Sequence, residues 1–225
     1  MPALAVEVID LVKKYDGREA VLNGVTFSVQ RGEFVTIFGK SGCGKTTLLN
    51  IVGGLDRPTS GDVKIEGQST VDMSEDDHAR LRLDRIGFVF QDYNLLSDLT
   101  VKENIALPLR FSGKKVAHGP EYLMDEFGIS HIADERPNRI SGGEAQRAAI
   151  ARAMMNEPKV ILADEPTGNL DSENTMNVIE AFKLIMRDFG TTVLLATHDK
   201  DLAKHSVSVL FLESGRAVRD HENSA

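Results

Sequence analysis

Eight residues, Gly39-Lys-Ser-Gly-Cys-Gly-Lys-Thr46, constrain this chain more than any other stretch. A glycine, four free positions and Gly-Lys-Thr is the pattern of a loop that wraps a phosphate. The flanks agree with it. Glu33 to Phe38 is apolar and β-rich, which predicts a strand running into the loop. Leu48, Leu49, Ile51 and Val52 fall at helical spacing and predict a helix leaving it, stopped by Gly53-Gly54. Gly39, Gly42 and Gly44 are expected to take backbone angles that side chains forbid. Successive N–H groups then curl around an anion, and the positive end of the new helix points at the same place. Lys45 reaches the β- and γ-phosphates of a nucleotide, and Thr46 offers its hydroxyl to Mg²⁺. A glycine-rich turn with a surface lysine explains the loop alone, but not the strand, the Lys-Thr pair and the helix together.

Composition narrows the class. Net charge is −8 with no basic run, which argues against a nucleic-acid partner. A 41% apolar chain of 225 residues has enough material for a core. Cys43 is the only cysteine, so neither an internal disulfide nor a cysteine zinc site is possible. Its place at a free position of the loop makes it a spacer, with oxidation there a route to blocking nucleotide. No apolar run approaches the roughly 18 residues of a membrane span. The first residues lack a signal peptide's charged and apolar regions. These features predict a cytoplasmic protein that reaches a membrane only through a partner.

Three further core strands are expected, each ending in a polar residue. Ile86–Phe90 ends at Gln91, Lys159–Ala163 at Asp164-Glu165, and Thr192–Ala196 at Thr197-His198. In open α/β sheets the carboxyl ends of strands face the ligand crevice. Gln91 is therefore a candidate to touch Mg²⁺ or the attacking water, against a loop glutamine that faces solvent. Asp164 is expected to hold Mg²⁺, Glu165 to polarise a water, and His198 to contact the γ-phosphate. Val6, Val8, Val25, Phe27 and Val29 alternate with polar residues and predict half-buried strands. Val63, Ile65 and Gly67 suggest another strand at an edge, and Val207–Leu212 a last one before a polar tail from Arg219. Tyr15, beside a turn at Asp16-Gly17, can stack on a base or simply pack.

Between Asp92 and Pro137, Leu95, Leu96, Leu99, Val101, Ile105, Leu107 and Leu109 supply apolar surface. Pro108, Pro120 and Pro137 are expected to break it into short pieces, giving a small helical lobe. Its apolar residues form its own core or, in excess, a groove for a partner. Ser141-Gly-Gly-Glu144 opens a helix to about Asn156, with Ser141 and Glu144 as a capping box. Gly142 and Gly143 each cost roughly 1 kcal/mol against alanine. That cost is explained if an anion must approach the bare helix N-terminus. Because Gly39–Thr46 already holds one nucleotide, Ser141, Gly142 and Gly143 are expected to grip the γ-phosphate held by a second copy of the chain. Asp171 or Ser172 caps the next helix, which Gly190 ends.

Taken together, these residues resemble the nucleotide-binding subunit of an ATP-binding cassette (ABC) transporter, over nearly the whole chain and with the motifs in order. The resemblance implies an α/β fold. A P-loop NTPase (RecA-like) core with an antiparallel β subdomain would fill residues 1–91 and 157–218, and a helical subdomain residues 92–156. It implies ATP and Mg²⁺ as ligands and ATP hydrolysis as the reaction. Tyr15 is implied as the adenine-stacking aromatic. Lys40, Ser41, Cys43 and Thr47 join the glycines, Lys45 and Thr46 around the phosphates. Gln91 is implied as the Q-loop, Ser141 to Glu144 as the signature, Asp164 and Glu165 as the end of Walker B. Asp171 closes the D-loop and His198 is the switch histidine. Two residues depart from the common signature: Ile140 stands for leucine, and Glu144 for glutamine, placing a carboxylate near a phosphate. Ile86–Leu96 and Ala163–Asp171 look like the branch of lipoprotein-releasing, macrolide-export and antimicrobial-peptide-resistance ATPases, which also holds a cell-division ATPase. Members of that branch pair with separate membrane permeases. The resemblance thus implies a homodimer around two ATP molecules, peripheral on the inner face of the membrane, driving export or extraction. A regulatory motor that signals through a permease without transport shares the same chemistry. A non-transport ATPase on DNA or ribosomes and a P-loop kinase lack support in the residues.

Overall fold

The structure, a computed structural model, describes residues 3–17 and 19–220, without the side chains of Arg219 and Asp220. Two long strands come first, β1 (Leu4–Lys14) and β2 (Ala20–Gln30), followed by the short β3 (Phe34–Phe38) and helix α1 (Lys45–Val52). Then come β4 (Ser60–Ile65), β5 (Gln68–Ser69), α2 (Glu75–Arg85) and β6 (Ile86–Phe90). The helical segment holds α3 (Val101–Ser112), α4 (Pro120–Glu126), two 3₁₀ turns and α5 (Gly142–Met154). The chain closes through β7 (Val160–Asp164), α6 (Ser172–Phe189), β8 (Thr192–Thr197), α7 (Lys200–Ala203), β9 (Ser208–Glu213) and β10 (Arg216–Asp220).

These strands make two sheets. One is antiparallel in the order β2-β1-β4-β5, and the other runs β10-β9-β3-β8-β7-β6. In the second sheet every pairing is parallel except that of β10 with β9. β4 therefore lies inside its sheet rather than at the edge, because two-residue β5 covers its outer side.

The continuous apolar runs of β7 and β8 follow from burial on both faces. Val160 and Leu162 face one core, with β1, β2, α1 and β4, while Ile161 and Ala163 face a second, with α3, α4, α5 and α6. On β8, Leu194 and Ala196 join the first core and Val193 and Leu195 the second. The two apolar layers thus share one sheet.

Three further sequence expectations change here. Pro108 lies inside α3 and does not break it. A Thr100–Glu103 capping box starts that helix, and Gly113 ends it at φ 60°. The chain beyond Ser214-Gly215 is not a tail from Arg219, since β10 pairs with β9 as far as Asp220 opposite Val209. Residues 221–225 lie outside the described residues. α5 ends at Met154, two residues before the expected stop. The expected caps are present, Ser141 boxing with Glu144 and Asp171 capping α6, and the structure adds a Ser74–Asp77 box at the start of α2.

Candidate active site

The parallel register brings four strand ends level. Phe38 stands opposite Thr197, Ala196 opposite Asp164, and Asp164 opposite Phe90. The residues that leave these strands therefore start side by side: Gly39, His198, Glu165 and Gln91.

The loop after β3 is shaped by Gly42 at φ 79° and Gly44 at φ 106°, in the left-handed region that L side chains avoid. Gly44 is the N-cap of α1 and supplies no side-chain cap, so the helix presents bare N–H groups. Gly39 does not share this reason. Its φ lies outside that region, and what it supplies is space: a Cβ there would stand 2.5 Å from Leu212 O and 2.6 Å from Cys43 Sγ. Cys43 itself packs half-buried against the first core, as a spacer does. Lys40, Ser41 and Thr46 are exposed, and Thr47 is half-buried.

Lys45 is buried, at 6% exposure. Its ammonium donates to Gly39 O at 2.8 Å and Lys40 O at 3.3 Å, and lies 3.2 Å from Glu165 Oε1. Glu165 takes φ 45°, uncommon for a non-glycine residue, while its N–H still continues the ladder to Ala196 O. That turn aims the carboxylate at its neighbours. It accepts from the Thr197 hydroxyl at 3.2 Å, and His198 Nδ1 lies 3.0 Å from both its oxygens. One carboxylate thus meets an ammonium, an imidazole and a hydroxyl.

Asp164 is in a different state. Burial pushes its carboxyl up from the ordinary value. The neighbouring Thr46 hydroxyl pulls the other way, Glu165 adds to the rise and Lys45 opposes it. Its Oδ1 is buried without a hydrogen-bond partner. A buried acceptor beside a hydroxyl is a fitting place for a hard cation that takes oxygen ligands. Among the described residues no group of three or more His, Cys, Asp or Glu side chains could hold a metal unaided. Mg²⁺ takes one or two carboxylates and completes its shell with phosphate and water, a demand that the Asp164 carboxylate and Thr46 hydroxyl fit.

The remaining candidates lie in their own settings. Gln91 Nε2 donates to Asn169 Oδ1 at 3.1 Å, and Asn169 Nδ2 returns a bond to Gln91 O at 3.2 Å. Gln91 is thereby tied to the loop after β7. Tyr15 donates its hydroxyl to Asp56 at 2.8 Å, past the end of α1, with the Lys13 ammonium 4.7 Å from its ring centre. The Asp171 carboxylate accepts from Asn174, as the cap of α6. Ser141 Oγ donates to Glu144 Oε2 at 2.7 Å, and the His131 ring nitrogen lies 2.9 Å from Oε1. The Ser141 hydroxyl first, then its backbone N–H and His131, hold the Glu144 carboxyl below its ordinary value.

The paired glycines also have a reason within the chain. A Cβ on Gly143 would fall 1.9 Å from Asn174 Oδ1, and one on Gly142 would fall 2.8 Å from Tyr93 Oη. Close packing against α6 and Tyr93 explains these glycines without an anion. Tyr93, His131 and Asn174 escape assignment from sequence because the residues they meet, Gly142, Glu144 and Gly143, are distant in the chain. Thr197, adjacent to His198, and Asn169, in the D-loop that Asp171 closes, carried a local signal.

The sheet, the phosphate loop and the acidic strand end define a P-loop nucleoside triphosphatase. The ABC transporter family model matches residues 22–168, and the chain belongs to that family, as its ATP-binding and ATP-hydrolysing domain. It is 42% identical over 212 residues to the lipoprotein-releasing system ATP-binding protein LolD of Blochmanniella floridana, covering 92% of this chain and 90% of that one. It is 43% identical over 207 residues to the macrolide export ATP-binding/permease protein MacB of Campylobacter jejuni, spanning 91% of this chain but 32% of that protein. Among solved structures, a dimeric post-hydrolysis ATP-binding cassette, MJ0796, bound to ADP and Pi superposes with a TM-score of 0.86 at 38% identity, over 96% of this chain and 97% of that one.

Proposed function

We propose that two copies of this chain sandwich two ATP molecules head to tail and, through cycles of closure and hydrolysis, drive a separate membrane permease. The observation that carries the reading is the meeting of Lys45, Glu165 and His198 beside Asp164, at the carboxyl ends of adjacent strands. In this reading the N–H groups of the Gly39–Thr46 loop cradle the phosphates, and Lys45 turns from Glu165 to the β- and γ-phosphates. Glu165, released, orients the attacking water for in-line displacement, and His198 holds the γ-phosphate. Thr46 and Asp164, with Gln91 nearby, would hold Mg²⁺, whose charge neutralises the phosphate oxygens. Tyr15 stacks on the base. Ser141, Gly142 and Gly143 donate to the γ-phosphate bound by the other copy, with Glu144 and Asp171 at the same contact. Two features support the second copy: these residues meet His131, Asn174 and Tyr93 rather than the Gly39–Thr46 loop of their own chain, and the similar cassette MJ0796 is a dimer.

The permease is a separate chain in this reading. No helix among the described residues is long and apolar enough to cross a membrane. The helical lobe, residues 92–156, leaves a groove against α2 and β6 that includes Phe88, Leu107, Phe111 and Arg152, with Phe111 72% exposed. Docking there would seat the chain on the inner membrane face and pass motion through Gln91. The relatives' names, lipoprotein-releasing and macrolide export, favour export or extraction of a lipoprotein or drug-like substrate.

The test is the mass of Glu165→Gln in solution with and without ATP, together with its turnover. Doubling of mass with ATP and near-complete loss of hydrolysis are expected. A monomer at saturating ATP would overturn the sandwich, and near-normal turnover would remove Glu165 from its role.

A further inference from the structure

Gln146 is fully buried, at 0% exposure, and neither its Nε2 nor its Oε1 has a hydrogen-bond partner. A polar side chain without any partner is expensive to bury, because its amide gives up water for nothing. Such a group asks for an explanation. Its position in α5 offers one. Helical side chains lean toward the N-terminus and cover the preceding turn. Gln146 follows Gly142 and Gly143 by one turn, and so lies on the face where those glycines meet Tyr93, Leu170 and Asn174. That face is the seam between the helix carrying Ser141–Glu144 and the loop 166–171, which ends in the Asp171 cap of α6. The seam must shift if the helical lobe moves against the sheet.

We propose that Gln146 is a positioning residue whose amide, unpartnered within the single chain, gains backbone partners in the loop 166–171 when ATP closes the sandwich. The orphaned amide penalises the chain outside the sandwich and so tilts it toward closure. It also sets the first turn of α5 against the loop that meets the other copy. The inference rests on the sandwich reading.

The experiment uses the full chain in the Glu165→Gln background, with Gln146→Met as an apolar replacement of similar length and Gln146→Leu as a second. Melting temperature without nucleotide, affinity of the monomer for a fluorescent ATP analogue, and the dimer dissociation constant with ATP are measured together. The expected result has opposite signs. Melting temperature rises, because a partnerless amide is gone, and analogue affinity stays within about twofold. The dimer weakens by about tenfold or more, equivalent to about 1.4 kcal/mol. A merely structural defect would not separate stability from assembly in this way. Raised stability with an unchanged dimer overturns the proposal. So does a failure of stability to rise in both variants, which means the amide is already satisfied, for example by a buried water. A Glu165→Gln parent that stays monomeric refutes the sandwich itself, and this inference with it, before Gln146 is touched.

Discussion

Gly143→Ala separates two reasons for one glycine. The new Cβ would fall 1.9 Å from Asn174 Oδ1, 2.5 Å from Cγ and 3.1 Å from Cβ, so rotating the tip of Asn174 does not clear it. Asn174 is also anchored, its Nδ2 donating to both Asp171 oxygens at 3.0 and 3.1 Å. Overpacking costs about 1–3 kcal/mol, and displacing the amide loses about 0.5–1.5 kcal/mol of hydrogen bonding. Replacing a helical glycine returns about 1 kcal/mol. The net is a loss of about 0.5–3.5 kcal/mol, or roughly 1–14 °C in Tm for a chain of this size. Calorimetry of the nucleotide-free protein measures it. Adding Asn174→Ala leaves only the 3.1 Å Cβ contact and is expected to bring the double variant within about 1 kcal/mol of Asn174→Ala alone. A Gly143→Ala protein as stable as its parent, or a double variant with no relief, refutes the packing argument. The ATPase assay then addresses the other reason. With the fold restored, turnover is expected to stay below about a tenth of the parent's, because the methyl still covers N–H groups meant for a phosphate. Full recovery would leave packing as the glycine's sole role.

Three other perturbations follow from buried polar groups. Asn104 donates to Leu96, Leu99 and Thr100 carbonyls and accepts from Leu96 N–H, at 2.7–3.3 Å. Asn104→Leu is expected to cost about 2–4 kcal/mol, read as a lower urea midpoint. His78 is buried with Nδ1 unpartnered, and burial, aided by Arg57, lowers its pKa from 6.5. The unfolded chain therefore takes up a proton first as pH falls below about 6.5, so stability drops from there until the lowered folded value is passed. His78→Leu should flatten that part of a Tm–pH profile between about pH 7.5 and 5.5. The Asp164 carboxyl titrates above its ordinary value, mainly through burial. Its ionised form penalises the empty protein at neutral pH, and the penalty is relieved as pH falls through the raised folded value. Asp164→Asn is expected to raise the Tm of the nucleotide-free chain while removing the further rise that ATP with Mg²⁺ gives the parent. An unchanged Mg²⁺-dependent rise would take Asp164 out of the cation site.

Much of this architecture is legible in the residues because its causes are local. The loop announces itself through glycine spacing between an apolar strand and an amphipathic helix. Ser141 and Asp171 cap the helices that their side chains predict, since a cap is a contact within a few residues. β7 and β8 are legible as fully buried strands from unbroken apolar runs. Elsewhere the cause is distant. Arg216-Ala-Val-Arg219 has no continuous apolar stripe, so β10 is visible only from its pairing with β9. Pro108 marks a helix end by local rules, yet α3 continues through it. Gly142 and Gly143 suggest a bare helix end, but Tyr93 and Asn174 share in requiring them. Gln91 meets Asn169 across the sheet edge, which no spacing records.

The sheet shared by the two apolar layers has a mechanical consequence. Ile161 and Ala163 belong to the layer built on the helical lobe, and Asp164 and Glu165 continue the same strand. Val193 and Leu195 do the same for the strand that ends at Thr197 and His198. A load placed on the lobe therefore bears directly on the two strands that present the acidic pair and the imidazole. Packed side chains join the lobe to those strands. Because close-packed interiors transmit strain, a displacement at α3 or α5 is expected to change the aim of Glu165, which ties outside force to phosphate chemistry.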